Sequence, residues 1–176
     1  MELTTQEEVH VICLFPELED ALVFDTLVHE RLLPIRNRED IFGKQQVMNK
    51  KDEIIGTVDN LLINATSIAF DDVFSLAGSC HGIAYPAHVD KSSTSLISNL
   101  GFVPPQSTFT CAEFHDFKNL HSLRKAHPYF GKCNVICCSD AHYLGDIHEP
   151  EHQLFTESRS MEHIFKALTA SACTED

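Results

Sequence analysis

Asp140 and His142 stand two residues apart, just past a run of small apolar residues from Asn134 to Cys138. On an extended backbone, residues i and i+2 point to the same side. One carboxylate and one imidazole are thus presented together at a strand's C-terminal end, where α/β barrels build their active sites. A desolvated carboxylate there requires a compensating cation; the alternative is an Asp–His hydrogen bond that stabilises a turn. Two other strand-like segments carry a histidine: Glu8 to Phe15 holds His10, and Gly82 to Asp90 holds Tyr85-Pro86-Ala87-His88. Taken alone, His10 reads more readily as a hydrogen-bonded strand histidine than as a ligand. His88 is sharper, because it stands where a buried strand becomes a loop. Histidines and acids delivered by separate strands point to a metal centre. Imidazole with carboxylate suits zinc, manganese or iron, whereas magnesium prefers an all-oxygen shell.

No competing constellation is present: there is no G-x-S-x-G, no G-x-x-x-x-G-K-[ST], no H-E-x-x-H and no G-x-G-x-x-G. Cys80 beside His81 makes a poor nucleophile–base pair, since adjacent strand residues face opposite ways. Eleven histidines are present, and His29, His115, His121, His127, His148, His152 and His163 fall in predicted helices or polar loops, where surface or capping roles are ordinary. His81 is open between supporting the site and plain core.

Short apolar segments alternating with amphipathic ones give an α/β pattern. Val9 to Phe15 reads as a strand, after which Pro16 opens a helix whose apolar stripe (Leu18, Leu22, Val23, Leu27, Val28, Leu32, Leu33) ends at Pro34. Arg36 to Asp59 is polar and is expected to be a loop with one or two short helical pieces; Leu61 to Ile68 reads as a connector. A helix over Asp71 to Ala77 with Gly78 as its cap precedes a strand over Ile83 to Val89. The run Asp90 to Ser95 is rich in capping residues and leads into a short helix ending at Gly101. A strand over Ser107 to Phe114, a helix over His115 to Lys125, a strand over Val135 to Cys138 and a helix over Met161 to Ala170 complete the reading.

A chain of 176 residues with 43% hydrophobic and 22% charged residues is expected to form one domain, 1–176. No apolar run approaches the roughly 18–20 residues that span a bilayer, and the N-terminus lacks a signal peptide's basic and apolar regions. A cytoplasmic location is expected. Seven cysteines (Cys13, Cys80, Cys111, Cys133, Cys137, Cys138, Cys173) without a C-x-x-C pair read as reduced, buried apolar side chains. A net charge of −13, from 26 acids against 13 bases, repels a phosphate backbone and argues against general nucleic-acid binding. A small phosphorylated substrate stays compatible, because bound divalent ions reverse the field locally.

Three stretches carry a family resemblance: Met1-Glu2-Leu3-Thr4-Thr5 with Glu8-Val9-His10-Val11-Ile12-Cys13-Leu14-Phe15; His81 through Asp90; and Cys138-Ser139-Asp140-Ala141-His142-Tyr143-Leu144. In this order they resemble the Glu-then-His segment, the single-His motif and the terminal D-x-H of the polymerase and histidinol phosphatase (PHP) superfamily of metal-dependent phosphoesterases. The resemblance implies a TIM-like, distorted (β/α)7 barrel with two or three divalent transition ions (Mn, Zn or Fe) at its strand ends. Glu2 would bridge metals, and His10, His88, Asp140 and His142 would be terminal ligands. A metal-activated water would attack phosphorus, with no protein nucleophile. Lys91 stands where relatives often carry Arg, and is a candidate contact to substrate phosphate as well as an ordinary loop lysine. PHP domains open with H-x-H, a further Asp and a T-D-H segment, none of which occurs here. The chain is therefore expected to correspond to the C-terminal two-thirds of the family domain, an incomplete barrel lacking its N-terminal strands, with Met1 at an internal position and metal affinity reduced. The resemblance implies hydrolysis of a small phosphorylated metabolite or nucleotide; a non-catalytic PHP-derived binding or assembly module is the alternative, and metal content separates the two.

Overall fold

The structure, a computed structural model, describes residues 1–170; Cys173 lies outside them. The longest sheet has three strands in the order β1 (Glu2–Thr4), β2 (His10–Leu14), β5 (Ile83–Pro86). Strand β2 is antiparallel to both neighbours, with Leu3 opposite Val11 and Ile12 opposite Tyr85. Five residues separate β1 from β2, too few for the crossover that parallel pairing needs. Instead the chain turns back, Thr5 and Val9 exchanging hydrogen bonds across the turn. Gly82 leads into β5 because a Cβ there would come within 2.8 Å of the Leu14 carbonyl oxygen.

Burial alternates along β2. Val11 and Cys13 are fully buried, whereas His10, Ile12 and Leu14 on the opposite face are only partly so. The first face packs on helices α1 (Leu18–His29) and α3 (Phe70–Ser79) through Phe24, Val28, Phe70, Val73 and Ala77. Each Phe or Val among them contributes roughly 1.5–3 kcal/mol when fully buried. The second face meets α6 (Met161–Thr169): Ile12, Leu14 and Ile83 pack with Tyr85, Cys111 and Leu168. Strands β6 (Cys111–Phe114) and β7 (Asn134–Cys137) form a parallel pair, joined by α5 (Leu120–Ala126). The Val89 N–H donates to the Glu113 carbonyl at 2.8 Å, bringing the C-terminal ends of β5 and β6 side by side.

The expected (β/α)7 barrel is overturned. The described residues form three separate sheets of three, two and two strands, with no closed, TIM-like ring. Closure requires an unbroken ladder of tilted strands; here β2 runs against its neighbours and no ladder links β5 to β6. The reading of 36–59 as a loop also needs correction. Beside a short helix α2 (Glu39–Phe42), it holds an antiparallel hairpin, β3 (Gln46–Met48) with β4 (Ile54–Thr57). Neither strand buries a residue, so no hydrophobic pattern marked it. The Gln45 side chain secures its base, donating to the carbonyls of Val58 (2.8 Å) and Asn60 (2.7 Å) and accepting from the Leu62 N–H (2.9 Å).

Helix α1 begins two residues after Pro16 and ends at His29, short of Pro34. Its buried ridge is Phe24 and Val28 with Leu27 beside them, while Leu18, Leu22 and Val23 face solvent. The strand expected over 107–114 is limited to its last four residues, because the Tyr129 hydroxyl lies 2.9 Å from the carbonyl oxygens of both Ser107 and Phe109. Helix α4 (Leu96–Leu100) is capped by Ser95 and ends at Gly101 in the left-handed region. Among the described residues no helix is long and apolar enough to cross a membrane.

Candidate metal centre

Glu2 lies opposite Ile12 on the partly open face of the sheet, diagonal to His10. That diagonal is within reach of a long side chain, and Glu2 Oε1 sits 3.0 Å from His10 Nδ1. His88 arrives from the far side of β2. The Ala87 N–H donates to the His10 carbonyl at 3.0 Å, which holds the His88 turn against β2. His88 Nε2 then lies 3.4 Å from Glu2 Oε1 and 3.3 Å from His10 Nδ1. His88 is only 2% exposed, and its Nδ1 has no hydrogen-bond partner among the described residues.

Two imidazole nitrogens 3.3 Å apart form an N–H···N hydrogen bond when one is donor and the other acceptor, and they can ligate one cation together when both present lone pairs. Zinc-type bonds of about 2.1 Å in a tetrahedron place ligand atoms about 3.4 Å apart. The three contacts of 3.0, 3.3 and 3.4 Å match that edge length, and these donor atoms form a group able to hold an ion. The Glu2 carboxyl is held well below the usual carboxylate range, first by the His10 hydrogen bond and then by that of His88, against the upward effect of burial. The residues present fit a divalent ion.

Asp140 adjoins this group, its Oδ2 4.0 Å from His88 Nε2, and the same oxygen accepts a hydrogen bond from Lys91 Nζ. His142 is exposed and outside the cluster, its Nδ1 3.0 Å from the Asp140 backbone oxygen. The structure thus brings together Glu2, His10 and His88, sets Asp140 and Lys91 beside them, and leaves His142 at the rim. His88 and Asp140 have φ of 29° and 48°. A left-handed backbone at a non-glycine residue stores strain and tends to gather at functional sites. His81 shares a left-handed backbone (φ 58°), as do Glu8, Asp52 and Thr94, yet it turns to solvent and pairs with Asp20 at 3.0 Å, so this geometry does not by itself mark the site.

Two contributors were not singled out from the sequence. Glu113 is buried on β6, and burial raises its carboxyl pKa despite a hydrogen bond from Cys138 and the proximity of His88. A lone acid in an apolar strand, Cys-Ala-Glu-Phe, was the available signal. Asp90 accepts from the N–H groups of His115 (2.7 Å) and Asp116 (2.9 Å) and from Asn119 Nδ2 (2.8 Å). It thereby locks the turn after His88 to the loop after β6. Burial pushes the thiols of Cys13 and Cys111 up to about 12; Cys138, expected from the sequence to be buried, is instead exposed.

No family model matches the chain, and no curated protein matches it. Its fold is similar to that in the crystal structure of PfuEndoQ from Pyrococcus furiosus, described as a novel lesion-specific endonuclease. The TM-score is 0.60 at 17% identity, over 96% of this chain and 37% of the other. At that identity the likeness is one of fold.

Proposed function

We propose that this chain is a PHP-type metal-dependent phosphoesterase domain, in which Glu2, His10 and His88 hold a divalent ion and Asp140 and His142 complete or extend its ligand set. The convergence of Glu2, His10 and His88 from three strands and turns carries this reading. The order of the motifs and the fold shared with an endonuclease support it. A bound ion would supply Lewis acidity toward the phosphoryl oxygens and an activated water. The chain's own residues do the rest. Glu2 stays ionised and presents its carboxylate to the cluster; the buried His88 is fixed by its turn, so its Nε2 keeps one direction. Lys91 pairs with Asp140 and holds it in place at the edge of the site. With a net charge of −13, the substrate proposed is a small phosphorylated molecule rather than a nucleic-acid polymer.

The test is metal analysis of the purified chain after loading with manganese or zinc, together with hydrolysis of p-nitrophenyl phosphate and bis-p-nitrophenyl phosphate. Bound ion and turnover are both expected, and both should be lost in His88→Ala and Glu2→Gln. A chain that folds but retains no ion would overturn the reading. Bound ion without hydrolysis of either ester would instead select a non-catalytic metal-binding module.

A further inference from the structure

Directly beside Asp140 lies a second polar cleft, of about 480 Å³, walled by Lys91, His115, Ser139, Asp140, Asp146 and His148. None of the three family-like segments accounts for its two histidines. The ring centroids of His115 and His148 are 5.5 Å apart. His115 is held rigidly: its N–H donates to Asp90 and its carbonyl accepts from the Cys137 thiol at 3.4 Å. The ring lines the cleft, although its Nδ1 is shielded from solvent, with no partner among the described residues, and so faces away from an entering ligand. The fold therefore anchors this residue at both backbone ends and sets its ring in the cleft wall, where the other ring nitrogen is the one a ligand can meet.

Charge narrows what the cleft takes. Lys91 is matched by Asp140, so among the described residues no unpaired lysine or arginine lines the cleft, and Asp146 adds a negative charge. A second phosphate would meet repulsion. A neutral group carrying hydroxyls or an amide-type edge would not, and it can donate to or accept from an imidazole in either tautomer.

We infer that the His115–His148 cleft is the subsite for the uncharged, hydroxyl- or amide-bearing part of a phosphate monoester or diester whose phosphate sits at the Glu2–His10–His88 centre. This rests on the function proposed above and adds the class of the group attached to phosphorus. It selects a monophosphate of a sugar or nucleoside over a diphosphate. Sites that hydrogen-bond a substrate hydroxyl or amide discriminate strongly against ligands lacking it.

The test follows the His115 and His148 imidazole resonances by NMR in the full chain, with zinc and without it, assigned through His115→Ala and His148→Ala. Adenosine 5′-monophosphate, adenosine 5′-diphosphate and inorganic phosphate are the probes. The monophosphate is expected to shift both signals and inorganic phosphate neither. Its dissociation constant should rise about tenfold in His115→Ala, the equivalent of one lost hydrogen bond, and the diphosphate should bind more weakly than the monophosphate. Unmoved histidine signals, an equal response to inorganic phosphate, or tighter diphosphate binding would each overturn the subsite. Failure of the metal centre registers separately, as absence of bound zinc in the same samples.

Discussion

Glu2 and Glu113 are pushed in opposite directions, and the pH dependence of stability should reveal it. The Glu2 carboxyl is lowered from an ordinary value of 4.5 by hydrogen bonds from His10 and His88. Its contribution is present above that value and is lost as pH falls through the folded one. The Glu113 carboxyl is raised by burial. It favours folding only while protonated, so its contribution is present below 4.5 and disappears as pH rises through its folded value. In protein stripped of metal with EDTA, Glu113→Gln should therefore stabilise at about pH 8 and have little effect at about pH 4, by urea denaturation. Glu2→Gln should destabilise at neutral pH and flatten the acid limb. A Glu113→Gln variant that is weaker at high pH would show the native carboxylate to be ionised and satisfied.

Elements whose signal lies in short-range chemistry were readable, and those set by long-range packing were not. The capping run before Ser95 and the glycine at 101 marked α4 correctly, because both caps are local: Ser95 Oγ accepts from the Ser98 N–H at 3.1 Å, and Gly101 supplies the left-handed φ. The same hydroxyl donates to the Lys91 carbonyl at 2.8 Å, tying the helix to the turn that carries His88. Ser95→Ala should thus cost about 1–2 kcal/mol, measured by thermal or urea unfolding, and should also weaken metal binding although Ser95 touches no ligand. Unchanged stability would mean that the cap is replaced locally. The stripe on α1 misled, since apolar spacing states that a face exists without stating what covers it: of its residues on that helix only Val28 is buried, with Leu27 packed against the core, and Phe24, outside the stripe, supplies the rest. The three-strand sheet was hidden for the opposite reason. That β2 runs antiparallel follows from the short turn at residues 5–9, and the length of that turn outweighed the family pattern. At the site, His88 was legible as a donor where a strand becomes a loop, His10 alone favoured a hydrogen-bonded strand role, and Glu2 entered only through the family resemblance. Glu113 and Asp90 act through burial and backbone contacts, which spacing does not encode.

For the whole molecule, the dominant electrostatic fact is 26 acids against 13 bases. Added salt acts on such a chain in two opposing ways. It weakens ion pairs such as Arg38–Asp40 and Lys166–Glu157, but these are exposed and contribute little. It also relieves repulsion among the excess acids, as the Debye length shrinks from about 30 Å at 0.01 M to about 8 Å at 0.15 M. With a net charge of −13, the second effect should win, and the thermal midpoint should rise with sodium chloride over that range. The control is charge reversal at Glu149 and Glu151, both exposed and with no side-chain hydrogen bond among the described residues. The double variant E149K/E151K should show a shallower salt dependence and higher stability at low salt, since self-repulsion destabilises the compact state. A midpoint that falls with salt would mean that ion pairs, rather than the uniform negative field, govern the stability of this fold.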